Sequence, residues 1–199
     1  MLRRPIVGVV GGGVADAATE ELAEEVGRLV AASGCFLLCG GRGGVMEAAA
    51  RGAGGAGGRT IGILPYASER EGRASDAINC KIFTGLGDAR NYVNACTSDV
   101  LIALAGEAGT LSEIALALKV GTPVVYLRAW RFLYDQPALA AFASLVEYAE
   151  TAPDAVRGAL RLIGFEPDET FDRPYRYPLL PDQAAQSGEL LRFLRTFSQ

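Results

Sequence analysis

The first two-thirds of the chain alternate between apolar runs of strand length and segments whose apolar residues recur at helical spacing. This alternation is typical of βαβ units, in which helices join parallel strands and cover the sheet. We therefore predict an α/β fold with a doubly wound parallel sheet and helices on both faces. The predicted strands are residues 6–10, 35–39, 60–64, 81–84, 100–104 and 123–127.

The clearest predicted helix lies between the first two strands, where Leu22, Val26, Leu29 and Val30 form an apolar stripe. Gly34 follows this stripe in the position of a C-terminal cap. Further helices are predicted over residues 44–53, 89–96, 110–120, 138–148 and 154–163, and around Leu190, Leu191 and Leu194. We expect a sheet domain over residues 1–128 and a helical and irregular C-terminal extension, packed on it, over residues 129–199.

Three glycine-rich loops follow predicted strands, with the sequences GGGVAD, GGRGGVME and GEAGTLSE. Because the carboxyl ends of parallel strands meet at one edge of an open sheet, we expect the three loops to converge on a crevice. Backbone N–H groups at the start of the helices that follow are donors for a phosphate. The candidate phosphate-binding residues are Gly11, Gly12, Gly40, Gly41, Gly43, Gly44, Gly106, Gly109 and Thr110.

The third loop supports two interpretations. Thr110 followed three residues later by Glu113 is the pattern of a capping box, in which each side chain bonds a free backbone N–H of the first turn. The small residues around Gly109 also leave backbone donors open to a phosphate. We expect both to hold, with the capping box placing Glu113 at the mouth of an anion site.

The composition excludes several kinds of catalytic site. The chain has no histidine, which removes the usual zinc patterns and the Ser-His-Asp and Cys-His nucleophiles. Its cysteines show no CxxC spacing, and we expect reduced, buried thiols. The four cysteines are Cys35, Cys39, Cys80 and Cys96. We expect neither a metal site nor a resident cofactor.

Charge and hydropathy restrict the partners. The net charge is −4 and the basic residues form no concentrated face, which argues against binding nucleic acid. No apolar run in the sequence reaches the ~20 residues that span a bilayer, and the start of the sequence does not resemble a signal peptide. The GxGxxG and Walker A motifs of ordinary NAD and ATP sites are also missing. We therefore expect a cytoplasmic protein without membrane or nucleic acid partners.

Four segments carry a family resemblance: GGRGGVMEAAARGA, GGRTIGILP, ARNYVN and AGTLSEIALALKVGTPVV. Their order and spacing, over roughly residues 5 to 128, resemble the LOG-type proteins, long mislabelled as lysine decarboxylases. The match is closest to a bacterial branch that also resembles molybdenum cofactor carriers. In LOG enzymes this resemblance implies a Rossmann-like homodimer that cleaves the N-glycosidic bond of a nucleoside 5′-monophosphate. It further implies that Gly109 and Thr110 hold the phosphate and that Arg90 and Glu113 form the catalytic pair.

The residues suit glycosidic cleavage better than amino-acid decarboxylation. A carboxylate stabilises the positive charge that builds on the ribose, and an arginine orients the phosphate or supports the leaving base. The only lysines are Lys81 and Lys119, and neither has the surroundings of a pyridoxal phosphate Schiff base. We therefore reject lysine decarboxylation.

The sequence also departs from the enzyme pattern. In PGGxGTxEE the proline, one glycine and one glutamate are lost, GLMG is replaced by residues 44–47, and the triplet ERK is replaced by residues 89–91. Binding of a phosphorylated ligand survives these changes better than hydrolysis does. We keep three hypotheses: a LOG-like phosphoribohydrolase, a non-catalytic carrier of the phosphorylated pterin of molybdenum cofactor, and a DNA-processing protein on a related fold, which the acidic charge disfavours.

Two remaining expectations concern surfaces. The helix around residues 48–56 is rich in alanine, a composition that packs closely against neighbours, and together with the family resemblance it favours a homodimer. Several charged side chains are interpreted as ordinary solvated charges. They are Glu47, Arg70, Arg73 and Glu107.

Overall fold

The computed structural model describes residues 4–166, through which a parallel sheet of seven strands runs. The strands are β1 (Ile6–Gly11), β2 (Phe36–Cys39), β3 (Thr60–Leu64), β4 (Cys80–Phe83), β5 (Val100–Leu104), β6 (Val124–Leu127) and β7 (Val146–Ala149). Their order across the sheet is β4-β3-β2-β1-β5-β6-β7, and every neighbouring pair is parallel.

Helices cover both faces of the sheet. They are α1 (Ala17–Ala32), α2 (Val45–Gly55), α3 (Arg90–Thr97), α4 (Ala108–Val120) and α5 (Ala152–Leu162). One core holds apolar side chains of α1, α2 and α5, and the other holds those of α3 and α4. The interior strand β5 is buried along its whole length, as expected of a parallel strand covered on both faces. The predicted doubly wound α/β fold is therefore confirmed.

Local signals set the ends of the helices. Asp16 precedes α1, and its carboxylate accepts a hydrogen bond from the backbone N–H of Thr19 at 2.8 Å. Gly34 follows the same helix with a φ of 74°, and its N–H donates to the carbonyl of Ala31 at 2.9 Å. This left-handed position confirms the glycine cap predicted there.

The segment after β6 differs from the prediction. Residues 138–148 do not form a helix, because a short 3₁₀ turn, Ala140–Leu145, leads into β7 at the edge of the sheet. The Tyr148 ring stacks on the Tyr126 ring of β6 with centroids 5.0 Å apart, and the Phe132 N–H donates to the Tyr148 hydroxyl at 3.1 Å. These contacts favour a strand over a helix, and the sheet continues beyond residue 128, the predicted boundary of the sheet domain.

Of the remaining predictions for the C-terminal part of the chain, one is confirmed and the others fall outside the described residues. The helix predicted over residues 154–163 is confirmed as α5, which packs on the core that α1 and α2 share. The irregular stretch and the closing helix predicted around Leu190 lie outside the described residues. Within residues 4–166 no helix is long and apolar enough to cross a membrane.

The cysteines are free but not uniformly buried. Cys35 and Cys39 are buried, and desolvation raises the pKa of Cys35 to about 12 and that of Cys39 to about 11. Both side chains therefore act as apolar packing groups, as expected. Cys80 and Cys96 are exposed, so the expectation of buried thiols is wrong for these two. Cys80 begins the edge strand β4, and Cys96 lies near the end of α3.

Glycines on α1 and α2 allow the backbones of the two helices to come into direct contact. A Cβ atom on Gly52 would lie 1.9 Å from the carbonyl oxygen of Glu24, and one on Gly27 would lie 1.9 Å from that of Ala49. Both neighbours are helix backbone, which cannot move aside without displacing a whole helix. The contact fixes α2, and with it the loop that precedes α2, against the rest of the fold.

We expect Gly52→Ala to lower the free energy of unfolding by about 1–3 kcal/mol, because the new methyl group overpacks the contact between the two helices. Gly54→Ala is the matched control, since it lies in the same helix and a Cβ atom there would meet no other atom within 4 Å. The control should be neutral or stabilising by up to about 1 kcal/mol. Urea unfolding measures both, and equal stability of the two variants would contradict the close helix contact.

Candidate functional site

A cleft opens where the strand order reverses, between β1 and β5. The loop after β1 leads to α1 on one face of the sheet, and the loop after β5 leads to α4 on the other, so the two loops diverge. The cleft has a volume of about 220 Å³. Its lining includes Gly12, Val14, Asp16, Val45, Gly106 and Glu107. Residues from all three predicted loops or the helices after them therefore meet at this edge.

The loop between β2 and α2 is pressed against the loop after β1. The N–H of Val45 donates to the carbonyl of Gly12 at 3.1 Å. Gly44 takes a φ of 60° and a ψ of −132°, and a Cβ atom there would lie 2.5 Å from the same carbonyl oxygen. Glycine is needed on both counts. Gly44 precedes α2 without a side-chain cap, so the N–H groups of the first turn have no capping side chain.

Other glycines predicted to bind phosphate pack against side chains around the cleft. Gly11 lies behind Val45, and a Cβ atom there would be 2.5 Å from the Val45 Cγ1. Gly41 has a φ of 69° and lies against Leu64. Gly40 and Gly41 are buried, whereas Gly43 lines a second, polar cavity.

The start of α4 corrects the predicted capping box. The helix begins at Ala108, after Glu107, so Thr110 and Glu113 lie inside the helix and no side chain caps its first turn. The capping box is therefore wrong. Thr110 is buried, and Gly106, with a φ of 118°, passes directly over it: a Cβ atom on Gly106 would be 2.5 Å from the Thr110 hydroxyl. The uncapped N–H groups of residues 108–110 are the donors that this end of the cleft offers.

Asp16 and Glu107 place two carboxylates at the cleft. The Asp16 carboxylate already accepts the Thr19 N–H, which lowers the pKa of Asp16 and keeps it charged at neutral pH. Its charge occupies the positive end of α1, so that helix has little attraction left for a second anion. The starts of α2 and α4 differ from that of α1 in having no side chain bonded to their N–H groups.

Arg90 and Glu113, the predicted catalytic pair, are bound to each other below the cleft. Arg90 Nη1 lies 3.1 Å from Glu113 Oε1, and Asn94 Nδ2 donates to the same oxygen at 2.7 Å. Only 7% of Arg90 and 5% of Glu113 are exposed. The two residues therefore tie α3 to α4 in the interior of the molecule, and neither side chain stands free at the cleft.

Burial dominates the electrostatics of this pair. Desolvation raises the pKa of Glu113, while the Arg90 charge and the Asn94 hydrogen bond oppose that rise. The Arg90 guanidinium lies against Gly40, where a Cβ atom would be 2.3 Å from Nη1. Asn94 Oδ1 is buried and has no hydrogen-bond partner within residues 4–166. Because Gly40 has no side chain, the Arg90 guanidinium packs directly against the backbone of the second glycine-rich loop.

A second polar cavity of about 340 Å³ lies on the far side of the loop between β2 and α2. Its lining includes Arg42, Gly43, Glu47, Tyr66, Arg73 and Ser75. Sequence reasoning treats Glu47 and Arg73 as solvated charges and therefore misses this cavity. The only available signal is that Glu47 closes the second glycine-rich loop.

We expect Arg90→Met to lower the free energy of unfolding by about 3–5 kcal/mol, because it leaves the Glu113 carboxylate buried without its counter-ion. Adding Glu113→Leu should recover much of that loss, since a buried pair of apolar side chains needs no compensating charge. The control is Arg131→Met, whose ion pair with Glu150 is exposed and should change stability by less than about 1 kcal/mol. Urea unfolding that shows no rescue in the double variant would contradict a structural ion pair.

The chain matches a known protein family over most of its described length. The sequence model of the SLOG cluster4 family matches residues 4–154. An uncharacterized protein of Archaeoglobus fulgidus is 43% identical over 122 residues, which cover 61% of this chain and 79% of that protein.

Two solved structures share the fold at higher coverage. The molybdenum cofactor binding protein of Rippkaea orientalis superposes with a TM-score of 0.73 at 41% identity, covering 82% of this chain and 99% of that one. The molybdenum cofactor carrier protein of Chlamydomonas reinhardtii gives a TM-score of 0.69 at 40% identity, covering 81% and 99%. This chain belongs to the SLOG cluster4 family.

Proposed function

We propose that this protein binds a phosphorylated pterin, the organic part of molybdenum cofactor, and holds it without cleaving it. The observation that carries the proposal is the buried contact between Arg90 and Glu113. The two side chains that glycosidic hydrolysis would use are bound to each other beneath the cleft. The likeness to a molybdenum cofactor binding protein and a carrier protein supports the same ligand class.

Hydrolysis would need a carboxylate close to the anomeric carbon of a ribose. Glu113 is turned into the interior, and Asp16 caps α1. Ser112 stands where the enzyme pattern has a glutamate, and its hydroxyl accepts from Asn91 Nδ2 at 2.7 Å and donates to the Gly109 carbonyl at 2.8 Å. Both hydrogen bonds of Ser112 stay within the protein, and Glu107, which is exposed at the rim of the cleft, is the one cleft carboxylate without a partner within residues 4–166.

The phosphate of the ligand is proposed to lie between the starts of α2 and α4. Neither helix has a side-chain cap, and both present the positive end of the helix dipole. In α2 the Val45 N–H already donates to the Gly12 carbonyl, so the donors left there are those of Met46 and Glu47, and in α4 they are those of residues 108–110. Gly109 lies in the first turn of α4, is exposed, and has no atom within 4 Å of a Cβ position. A ligand can therefore approach the backbone closely at this point.

Gly109→Asp tests the phosphate position. A carboxylate in the first turn of α4 stabilises the helix by about 0.3–1 kcal/mol, and it repels an anion about 4 Å away by about 1–4 kcal/mol. We expect the variant to fold normally and to bind neopterin monophosphate at least about tenfold more weakly in calorimetry. Gly109→Asn is the control with the same shape and no charge. Equal affinity of the Asp and Asn variants would contradict a phosphate at this helix end.

A second candidate function is phosphoribohydrolysis of a nucleoside 5′-monophosphate. The observation in its favour is that Arg90 and Glu113 are both present and in contact at 3.1 Å, and burial raises the pKa of Glu113, which is the direction that a general acid requires. Incubation with a panel of nucleoside monophosphates separates the two candidates. We expect no free base from any of them. Base release by the parent protein that disappears in Glu113→Gln would favour the hydrolase.

We also propose a homodimer, on the basis of exposed apolar residues of α3 and α4 and not of the alanines of α2. The alanines of α2 are buried against α1 in the same chain, so they give no argument for a second copy. On the opposite face, Tyr92 of α3 and Leu111 of α4 are 51% and 41% exposed. Apolar residues in that position favour a second copy packed on α3 and α4. Light scattering at micromolar concentration should give a dimer that Leu111→Glu dissociates, and a monomeric parent would contradict it.

A further inference from the structure

The second cavity contains a carboxylate that the proposed phosphate position does not use. We propose that Glu47 selects the ring of the ligand by accepting two N–H groups from the edge of a 2-amino-4-oxopyrimidine. Pterins and guanine share this edge. The proposal rests on the proposed function, because the phosphate at the starts of α2 and α4 brings the ring to this cavity.

Glu47 is held in a defined orientation. It lies in the first turn of α2, where the helix dipole favours a negative charge. Glu47 Oε1 accepts a hydrogen bond from the Ser75 hydroxyl at 3.0 Å. Ser75 is itself buried and fixed, since its N–H donates to the Gly41 carbonyl at 3.0 Å and its hydroxyl accepts the Ala77 N–H at 3.2 Å. One oxygen is therefore positioned, and Oε2 has no partner within residues 4–166.

A carboxylate in this position matches one kind of ring edge. The ring N–H and the exocyclic amine of a 2-amino-4-oxopyrimidine point in the same direction, so one carboxylate accepts both in a bidentate contact. An adenine ring presents no such pair of adjacent donors. Hypoxanthine presents the ring N–H alone. The chemistry of Glu47 therefore favours pterins and guanine over adenine and hypoxanthine.

The other walls of the cavity suit a flat polar ring. Tyr66 is half-buried, and its ring lies against the backbone of Gly72, where a Cβ atom would be 2.3 Å from Cε2. Arg73 forms an exposed ion pair with Asp76 at 2.6 Å. Arg42 is exposed and has no ion-pair partner within residues 4–166. It is therefore available to the carbonyl oxygen or to the phosphate of the ligand.

The loop between β2 and α2 separates the cavity from the cleft. Gly43 lines the cavity, and a Cβ atom on it would lie 3.3 Å from the carbonyl oxygen of Gly13 in the loop after β1. Gly12 and Val45 line the cleft, whereas Glu47, two residues after Val45, lines the cavity. The proposed phosphate position at the start of α2 and the Glu47 carboxylate therefore lie within one turn of the same helix.

Calorimetry with GMP, IMP and neopterin monophosphate tests the proposal. IMP differs from GMP only in lacking the 2-amino group. We expect GMP and neopterin monophosphate to bind the parent protein at least about tenfold more tightly than IMP, the discrimination of one well-placed bidentate contact. Glu47→Gln should abolish the preference for GMP and neopterin monophosphate over IMP, and it should weaken IMP less, because IMP offers the carboxylate its ring N–H alone. Tighter binding of neopterin monophosphate than of GMP would assign the site to pterins.

The control is Glu21→Gln, which removes an exposed charge from α1 and should alter none of the affinities. Thermal unfolding checks that Glu47→Gln is folded, since glutamine can keep the contact with Ser75. Three results would each overturn the proposal: equal affinity of the parent for GMP and IMP, a preference for GMP that persists in Glu47→Gln, or no binding of GMP and neopterin monophosphate at about 1 mM. This concentration is roughly the weak limit of a specific site. If Gly109→Asp weakens all three ligands while Glu47→Gln weakens none, the phosphate position stands and the role of Glu47 fails.

Discussion

The buried ion pair of Arg90 and Glu113 is the contact on which the carboxyl edge of the sheet depends. Taking two charges out of water costs several kcal/mol per ion, and only a close partner with additional hydrogen bonds offsets this cost. Asn94 provides such a bond to Glu113, and the guanidinium fits because Gly40 carries no side chain. The pair joins α3 to α4 and lies under the second glycine-rich loop, so three segments of the site share one support.

The same pair is the reason why we propose binding without hydrolysis for a sequence that resembles an enzyme family. The arginine and the glutamate are both present, yet their charges face each other and not the cleft. What the cleft offers is backbone: two uncapped helix starts and glycines that let a ligand approach. Backbone donors hold a phosphate but supply no proton and no nucleophile. Binding therefore requires less of this site than cleavage does.

Most of the fold could be predicted because parallel strands have a strong signature. Thr60–Leu64 and Val100–Leu104 are short, largely apolar runs that each follow a charged residue, and both strands occur as predicted. Val146–Ala149 could not be found in this way, since its burial depends on stacking against Tyr126 from another strand. Short apolar runs do not distinguish a strand from a helix until their neighbours are known.

The site could be predicted less completely for two physical reasons. The sequence brings the three glycine-rich loops to one edge, but it cannot show whether Glu113 bonds the backbone of its own helix or Asn94 of another one. Glu47 resembles a surface charge in the sequence, because the bond to Ser75 joins residues far apart along the chain. In both cases the decisive partner comes from a distant segment, which local spacing does not reveal.

Mass spectrometry of the small molecule that co-purifies with the protein tests the central claim most directly. The protein would be produced in a host that makes molybdenum cofactor, and the bound fraction released by mild denaturation. We expect an intact phosphorylated pterin at a ratio close to one per chain. Recovery of a nucleoside monophosphate, or of ribose 5-phosphate with free base, would contradict the account.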